Sequence, residues 1–364
     1  MKKKQTAIIS IILAMLMAFT ITGFTGCGQD GSSGQGDNIV TDCAGRQVEI
    51  PEDPENVACL YATAAHMMAM LDEEQKIVGC PNGVKSDVLM QMKYPEITET
   101  ATPHQEGSVN AEELLRIDTD LALVSFSLAA SEGEMAKLDE LGIPYVVIDY
   151  TTIDELRTAV KVAGEVFGKE DKAQAYLKFF DDTLGMVDER LVDVDMKEAP
   201  SVYHSVNEAI RTDPEGSICG EIMERAKVED VSVAKGTLST GKNAYVTLEE
   251  IYNWDPDAFI ANEYSVTDYI LSDSKWSGLT AVKNKNVYTL PVGATRWCHP
   301  GSMEAHMGVL AVALQFYPDK FKDFDMKEYT SDYYKEYFGL ELDDKTIEKI
   351  LAGEGMRMSN SPVQ

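Results

Sequence analysis

The stretch TIDELRTAVKVAGEVFGKEDKAQAYLKFFDDTLGMVDERLVDV, Thr152 to Val194, decides how the rest of the chain is read. It opens with Thr152-Ile-Asp-Glu155, the pattern in which a Thr hydroxyl and a Glu three residues on satisfy each other's free amides at a helix start. Ile153, Leu156, Val160, Ala163 and Phe167 then recur at helical spacing. Gly168 breaks the run, and Tyr176, Leu177, Phe180, Leu184, Val187, Leu191 and Val194 resume it. At ~1.5 Å per residue this second segment reaches about 36 Å, the width of a small domain. Alternating strand and helix patterns stand on both sides. The expectation is two α/β lobes with parallel central sheets joined by a long helical spine, residues 152–195. The alternative is a helix pair inside one large domain.

Outward from the spine, the N-terminal lobe spans 39–151. Its strand candidates are Val57–Tyr61, Ile77–Gly79, Leu121–Ser125 and Tyr145–Asp149. The C-terminal lobe spans 196–354, with candidates Ser201–Val206, Asp230–Val233, Ala258–Ala261 and Val287–Leu290. Short apolar runs between helices indicate parallel sheets with helices on their faces. Residues 110–124 and 247–261 align without gaps: a capping pattern (Asn110/Glu113, Thr247/Glu250), a short amphipathic helix, an Asp-x-Asp turn and a buried strand. One such segment in each half favours two lobes of related build. Tyr333, Tyr334, Tyr337 and Phe338 form an aromatic stripe read as core, and 355–364 reads as a polar tail.

The N-terminus carries a targeting pattern. Lys2, Lys3 and Lys4 precede an apolar run, Ala7 to Phe19, and residues 1–26 read as a signal segment. Small residues directly before Cys27 give the form of a bacterial lipobox, in which Cys27 is lipidated and anchors the chain on the extracytoplasmic face of the cell membrane. Residues 27–38 are Gly- and Ser-rich and read as a tether. A formal net charge of -29 argues against a nucleic-acid partner, because a phosphate backbone would be repelled. Without Cys27, five of the six cysteines remain, none in a C-x-x-C pair. Cys59 and Cys80 end consecutive strands and are close enough in the pattern to consider a disulfide, with plain buried thiols as the other reading.

Three segments carry a family resemblance. Val40-Thr-Asp-Cys-Ala-Gly-Arg-Gln-Val-Glu-Ile-Pro51 resembles the opening of the substrate-binding lipoproteins of iron-complex and vitamin B12 ABC importers. Trp276 to Pro291, ending Val-Tyr-Thr-Leu-Pro, resembles a later segment of the same family, and Tyr317-Pro-Asp-Lys-Phe321 fits its pattern as well. The resemblance implies a rigid single-helix connection, a ligand in the cleft between lobes, and delivery to a membrane permease driven by an ATPase. It implies one surface Glu per lobe pairing with permease arginines, here Glu112 and Glu224, with Glu113 and Glu221 as the nearby competitors. The ligands it implies are an iron(III) chelate (siderophore or haem) or, alternatively, cobalamin; a sensor or scavenger role would use the same fold. No cofactor and no resident metal are expected, and the chain is read as a monomer.

Ligands of open α/β sheets sit beyond the carboxyl ends of the strands. That rule selects Tyr61, Thr63 and His66, with His104 on a later loop, in the first lobe. In the second it selects Tyr203, His204, Arg211, Tyr264, Arg296, Trp297 and His299. Aromatic rings offer flat area, and Arg pairs with anionic oxygens. Trp297 and Arg296 are the leading pair. Signatures of nucleotide-binding, zinc-protease and serine-hydrolase chemistry are absent from the sequence, so an enzyme is not expected.

Overall fold

The computed structural model describes residues 38–236 and 244–357. The signal segment, the lipobox Cys27, nearly all of the tether and the end of the tail lie outside the described residues.

Each lobe holds a four-stranded, all-parallel sheet. In the first, β1 (Val57–Cys59), β2 (Ile77–Gly79), β3 (Leu121–Val124) and β4 (Tyr145–Val147) are ordered β2-β1-β3-β4. In the second, β5 (Ser201–Ser205), β6 (Glu229–Asp230), β7 (Ala258–Ala261) and β8 (Val287–Thr289) are ordered β6-β5-β7-β8. The two orders are the same. Seven strands match their sequence candidates to within a residue or two. The exception is Asp230–Val233, where pairing stops at Asp230 and a short helix, Val231–Lys235, begins. Asp230 caps that helix by accepting the Ser232 amide at 2.9 Å, which outcompetes the β-branched character of Val231 and Val233.

The 110–124 and 247–261 segments are structural equivalents. Asn110 and Thr247 cap α-helices Ala111–Arg116 and Leu248–Trp254. Asp118 and Asp255 take the left-handed conformation, φ 53° and 41°, which Asp tolerates better than most residues. The second Asp of each turn then ties down the start of the first strand. Asp120 accepts the Glu55 and Asn56 amides at 3.0 and 3.1 Å, and Asp257 accepts the Ser201 amide at 2.9 Å. The Asp-x-Asp turn is therefore a clip between neighbouring parallel strands, used once per lobe.

Thr152–Val194 is a helix pair rather than one continuous spine. Helix α1 (Ile153–Val166) turns at Gly168, φ 61°, into α2 (Glu170–Arg190), whose 21 residues span about 31 Å. The two pack antiparallel: Arg157 pairs with Asp181 at 2.6 Å, and a Cβ at Gly164 would stand 2.7 Å from that of Ala173. Glycine at 164 permits this close approach. The capping pattern is shifted by one residue, since Glu155 accepts from Thr151 while Thr152 accepts the Glu155 amide. Leu191 to Val194 lie beyond the last helical turn.

One apolar cluster runs through both lobes. It includes Val57, Met67 and Val160 on one side, Tyr176 and Phe180 on α2, and Val202, Ile260 and Tyr333 on the other. The aromatic stripe is core, as expected: Tyr333 and Tyr337 pack around Tyr176 and Phe179. The Tyr176 hydroxyl donates to the Met303 carbonyl at 2.6 Å, fixing α2 to the second lobe. The expected tail is partly structural: Met356 is buried and accepts the Val88 amide at 3.1 Å. Cys43, Cys59, Cys80, Cys219 and Cys298 are free thiols; Cys59 is in contact with Met68 and Cys80 with Thr100.

Candidate functional site

The loops beyond the carboxyl ends of the strands meet between the lobes. Thr63, just after β1, donates its hydroxyl to the Gly301 carbonyl at 2.9 Å. Gly301 belongs to the loop after β8 that carries Arg296, Trp297, Cys298 and His299. A side chain at Gly301 would meet Thr63 at 3.0 Å, the Tyr61 hydroxyl at 3.4 Å and His299 at 3.7 Å. Tyr61 is half-buried beside Asp149, and burial together with that carboxylate raises its phenol above the ordinary range.

Four predicted residues converge there: Tyr61, Arg211, Arg296 and His299. Arg211 lies on a short strand, Arg211–Thr212, paired with Ala244–Tyr245. Arg296 pairs with Glu263 at 2.5 Å. Burial weakens the hold of Arg296 on its proton, Arg357 opposes its charge, and Glu263 offsets part of both. His299 is pushed well below its ordinary value by burial and then by Arg296, Arg211 and Arg357, so the imidazole is neutral. Its Nδ1 accepts the Gly301 amide at 3.2 Å, leaving Nε2–H as a donor. The result is a locus with three guanidinium groups within electrostatic reach of one neutral imidazole.

The other predicted residues are placed elsewhere. Trp297, expected at the ligand, is fully buried in the core, with its indole N–H donating to Tyr334 at 3.3 Å. Tyr203 also points inward, against Trp254 and Phe259. A pleated strand presents alternate side chains to opposite faces, and helices cover both faces of this sheet. His66 is buried on the helix Ala62–Met70 and bonded to Asp87 at 2.8 Å. Tyr264 is half-exposed at the first turn of the helix after β7. His104 bonds the Leu60 carbonyl at 2.8 Å and holds a hairpin.

Beneath the loop after β8 lies a buried polar group. His204 bonds Asp213 at 2.6 Å and Asn262 at 3.2 Å, and Cys219 is close by. His204, Asp213 and Cys219 have the residue types of a metal site. Two ligands on one tetrahedral zinc stand about 3.3 Å apart, given bonds of about 2.0–2.1 Å. The 2.6 Å contact is that of a charge-assisted hydrogen bond.

Sequence reasoning missed Arg357, Glu263 and Asp87. Arg357 lies in the segment read as tail, yet it bonds the Gly83 carbonyl at 3.1 Å and faces Asp87 at 3.3 Å. Glu263 stands two residues after β7 and was reachable by the rule that selected Tyr264.

The exposed carboxylates sort cleanly. Glu113 is engaged by Arg116 at 2.7 and 3.0 Å, and Glu221 accepts the Ile153 amide at 2.8 Å, capping α1 from the second lobe. Glu112 and Glu224 are exposed and form no ion pair among the described residues.

Residues 57–292 match the model of the periplasmic binding protein family. The chain belongs to this family. Its relatives include the molybdate-binding protein MolA of Haemophilus influenzae, 26% identical over 326 residues, covering 83% of this chain and 91% of MolA. The ABC transporter substrate-binding lipoprotein YvrC of Bacillus subtilis is 24% identical over 335 residues, covering 89% and 100%. Among solved structures, molybdate-bound MolA superposes with a TM-score of 0.76 at 24% identity, covering 84% of this chain and 99% of that one. Helicobacter pylori CeuE with Ni(II) gives 0.71 at 19%, covering 86% and 99%. This periplasmic binding protein is thus a solute-binding component of an ABC importer, extracytoplasmic and non-enzymatic, with the two-lobed α/β fold expected from the sequence.

Proposed function

We propose that this protein is a lipid-anchored capture protein, held through Cys27, that takes an anionic, metal-containing solute into the interlobe cleft. It presents the loaded cleft to a permease through Glu112 and Glu224. The observation that carries the reading is the convergence of Arg211, Arg296 and Arg357 on His299. Half-buried like charges repel one another, and a bound anion relieves that repulsion while gaining charge-assisted hydrogen bonds.

A compact metal oxyanion is the cargo this geometry favours, and molybdate binding by the 26% identical MolA supports it. An anionic iron(III) chelate is the second reading. It has the support of the sequence resemblance and of an iron(3+)-hydroxamate-binding relative from Bacillus subtilis, YxeB, 20% identical over 305 residues. Cobalamin is the weakest of the three. It needs aromatic walls and few charges, and Trp297 and Tyr203 have been withdrawn into the core.

A thermal-shift screen of the soluble chain against sodium molybdate, ferric citrate, haem and cobalamin tests the order. Ligand at a hundred times its Kd stabilises by about 2.7 kcal/mol. A shift with molybdate or ferric citrate supports an anionic cargo; a shift with cobalamin alone overturns it.

A further inference from the structure

Asn262, the residue after β7, fixes a chain of donors and acceptors. Its Nδ2 donates to the Cys298 carbonyl at 3.0 Å. Its Oδ1 is thereby turned toward His204 Nε2, 3.2 Å away, and a carbonyl oxygen only accepts. His204 Nε2 must carry a hydrogen. The other ring nitrogen, Nδ1, is 2.6 Å from the Asp213 carboxylate, which also accepts. Turning the Asn262 amide over would set its oxygen against the Cys298 oxygen, two acceptors facing each other, so the order of donors runs one way only. His204, Asp213 and Asn262 are all fully buried, so no water competes for these bonds.

We infer that His204 carries a proton on both ring nitrogens and is the positioning residue of the Arg296–Pro300 loop, holding it through Asn262 and the Cys298 carbonyl. The relay runs from Asp213 to His204 to Asn262 to Cys298, and it ends between Arg296 and His299. That this loop holds ligand rests on the proposed function; the protonation state and the tether do not. The groups facing His204 agree with a cation there. Asp213 comes from the loop after Arg211–Thr212, Asp230 from the end of β6, and Cys219 from α-helix Ile218–Arg225. On the loop after β8 the group facing His204 is His299, whose own imidazole is held neutral, so it sets no charge against a cation at His204. Burial works against the charge, while Asp213 and then Asp230 draw the imidazole above its ordinary value.

The test is side-chain nitrogen NMR on the soluble chain, with no ligand added. Five histidines are few enough to assign by substitution. His204 should show two protonated nitrogens at neutral pH. One unprotonated nitrogen, or a change reversed by a zinc chelator, would overturn the inference and point to a metal site instead. Amide exchange across Cys298–Ser302 supplies the second readout. Asn262→Ala and H204Q should each speed it at least tenfold while strand β5 exchanges as before; unchanged loop exchange in Asn262→Ala would refute the tether. Should H204Q fail to fold, the wild-type spectrum and Asn262→Ala still decide. Failure of every cargo in a binding screen would leave both readouts standing.

Discussion

Thr63 Oγ1 donates to the Gly301 carbonyl at 2.9 Å, joining the start of the helix that follows β1 in one lobe to the loop beyond β8 in the other. The contact works because Gly301 has no side chain. Gly301→Val would drive a branched group against Thr63 and Tyr61, and overpacking of this kind costs about 1–3 kcal/mol. The expected outcome is a lower melting temperature and at least tenfold weaker ligand binding, since the wedge also displaces His299. Calorimetry on the variant checks this; wild-type affinity would show that the lobes do not need this approach.

The lobes are tied at several further places. Lys93 reaches the Phe338 carbonyl at 3.0 Å, Arg357 reaches Gly83 at 3.1 Å, and Glu221 caps α1 at 2.8 Å. A continuous apolar cluster crosses between them along α2. Large hinge motions need a few residues that absorb the change, and here packed side chains surround the connection. Scattering profiles with and without ligand should nearly superimpose. A wide contraction on binding would contradict the account.

Glu112 and Glu224 are exposed, while their neighbours Glu113 and Glu221 are engaged within the fold. Exposed carboxylates of this kind govern docking geometry and association rate. Replacing both with Gln should leave ligand affinity and melting temperature unchanged and reduce uptake by at least tenfold in cells. Unimpaired uptake would remove them from the docking surface. Glu221→Gln should instead lower stability by about 1 kcal/mol, because it weakens a helix cap.

Asp230 makes a pH prediction. Burial and then the neighbouring Asp213 raise its carboxyl from 3.8 to about 7. The folded chain therefore binds this proton more tightly than the unfolded chain does. Its contribution to stability is full below pH 3.8 and is lost as pH climbs to about 7. Urea unfolding of wild type and D230N at pH 5 and pH 7 isolates it. Wild type should lose on the order of 1–3 kcal/mol more than D230N between the two. Equal losses would place the Asp230 proton elsewhere.

Much of this molecule was legible in the chain. Buried parallel strands are short apolar runs whatever they pack against, so Ile77–Gly79 and Ala258–Ala261 were found to the residue. Glu residues at helix starts and the Asp-x-Asp turns act locally, and local chemistry is written locally. The site was less legible. Whether Tyr203 or Trp297 faces a cleft or a core depends on which helix covers that face, a choice made by residues far away in sequence. Arg357 reaches the site only because the chain returns to Asp87 after 270 residues, and no periodicity announces that return. Gly168 was legible as a break in the helical run, and at φ 61° it is the turn of a helix pair.

In the proposed function, half-buried arginines at the lobe junction hold an anionic cargo. Isothermal titration of sodium molybdate and of ferric citrate into wild type, Arg296→Gln and Arg211→Gln tests it most directly. The expected result is saturable binding of at least one of the two anions to wild type. Binding should be at least tenfold weaker in each variant, with loss steepest for Arg296→Gln. Binding that is absent in wild type, or unchanged in both variants, would contradict it.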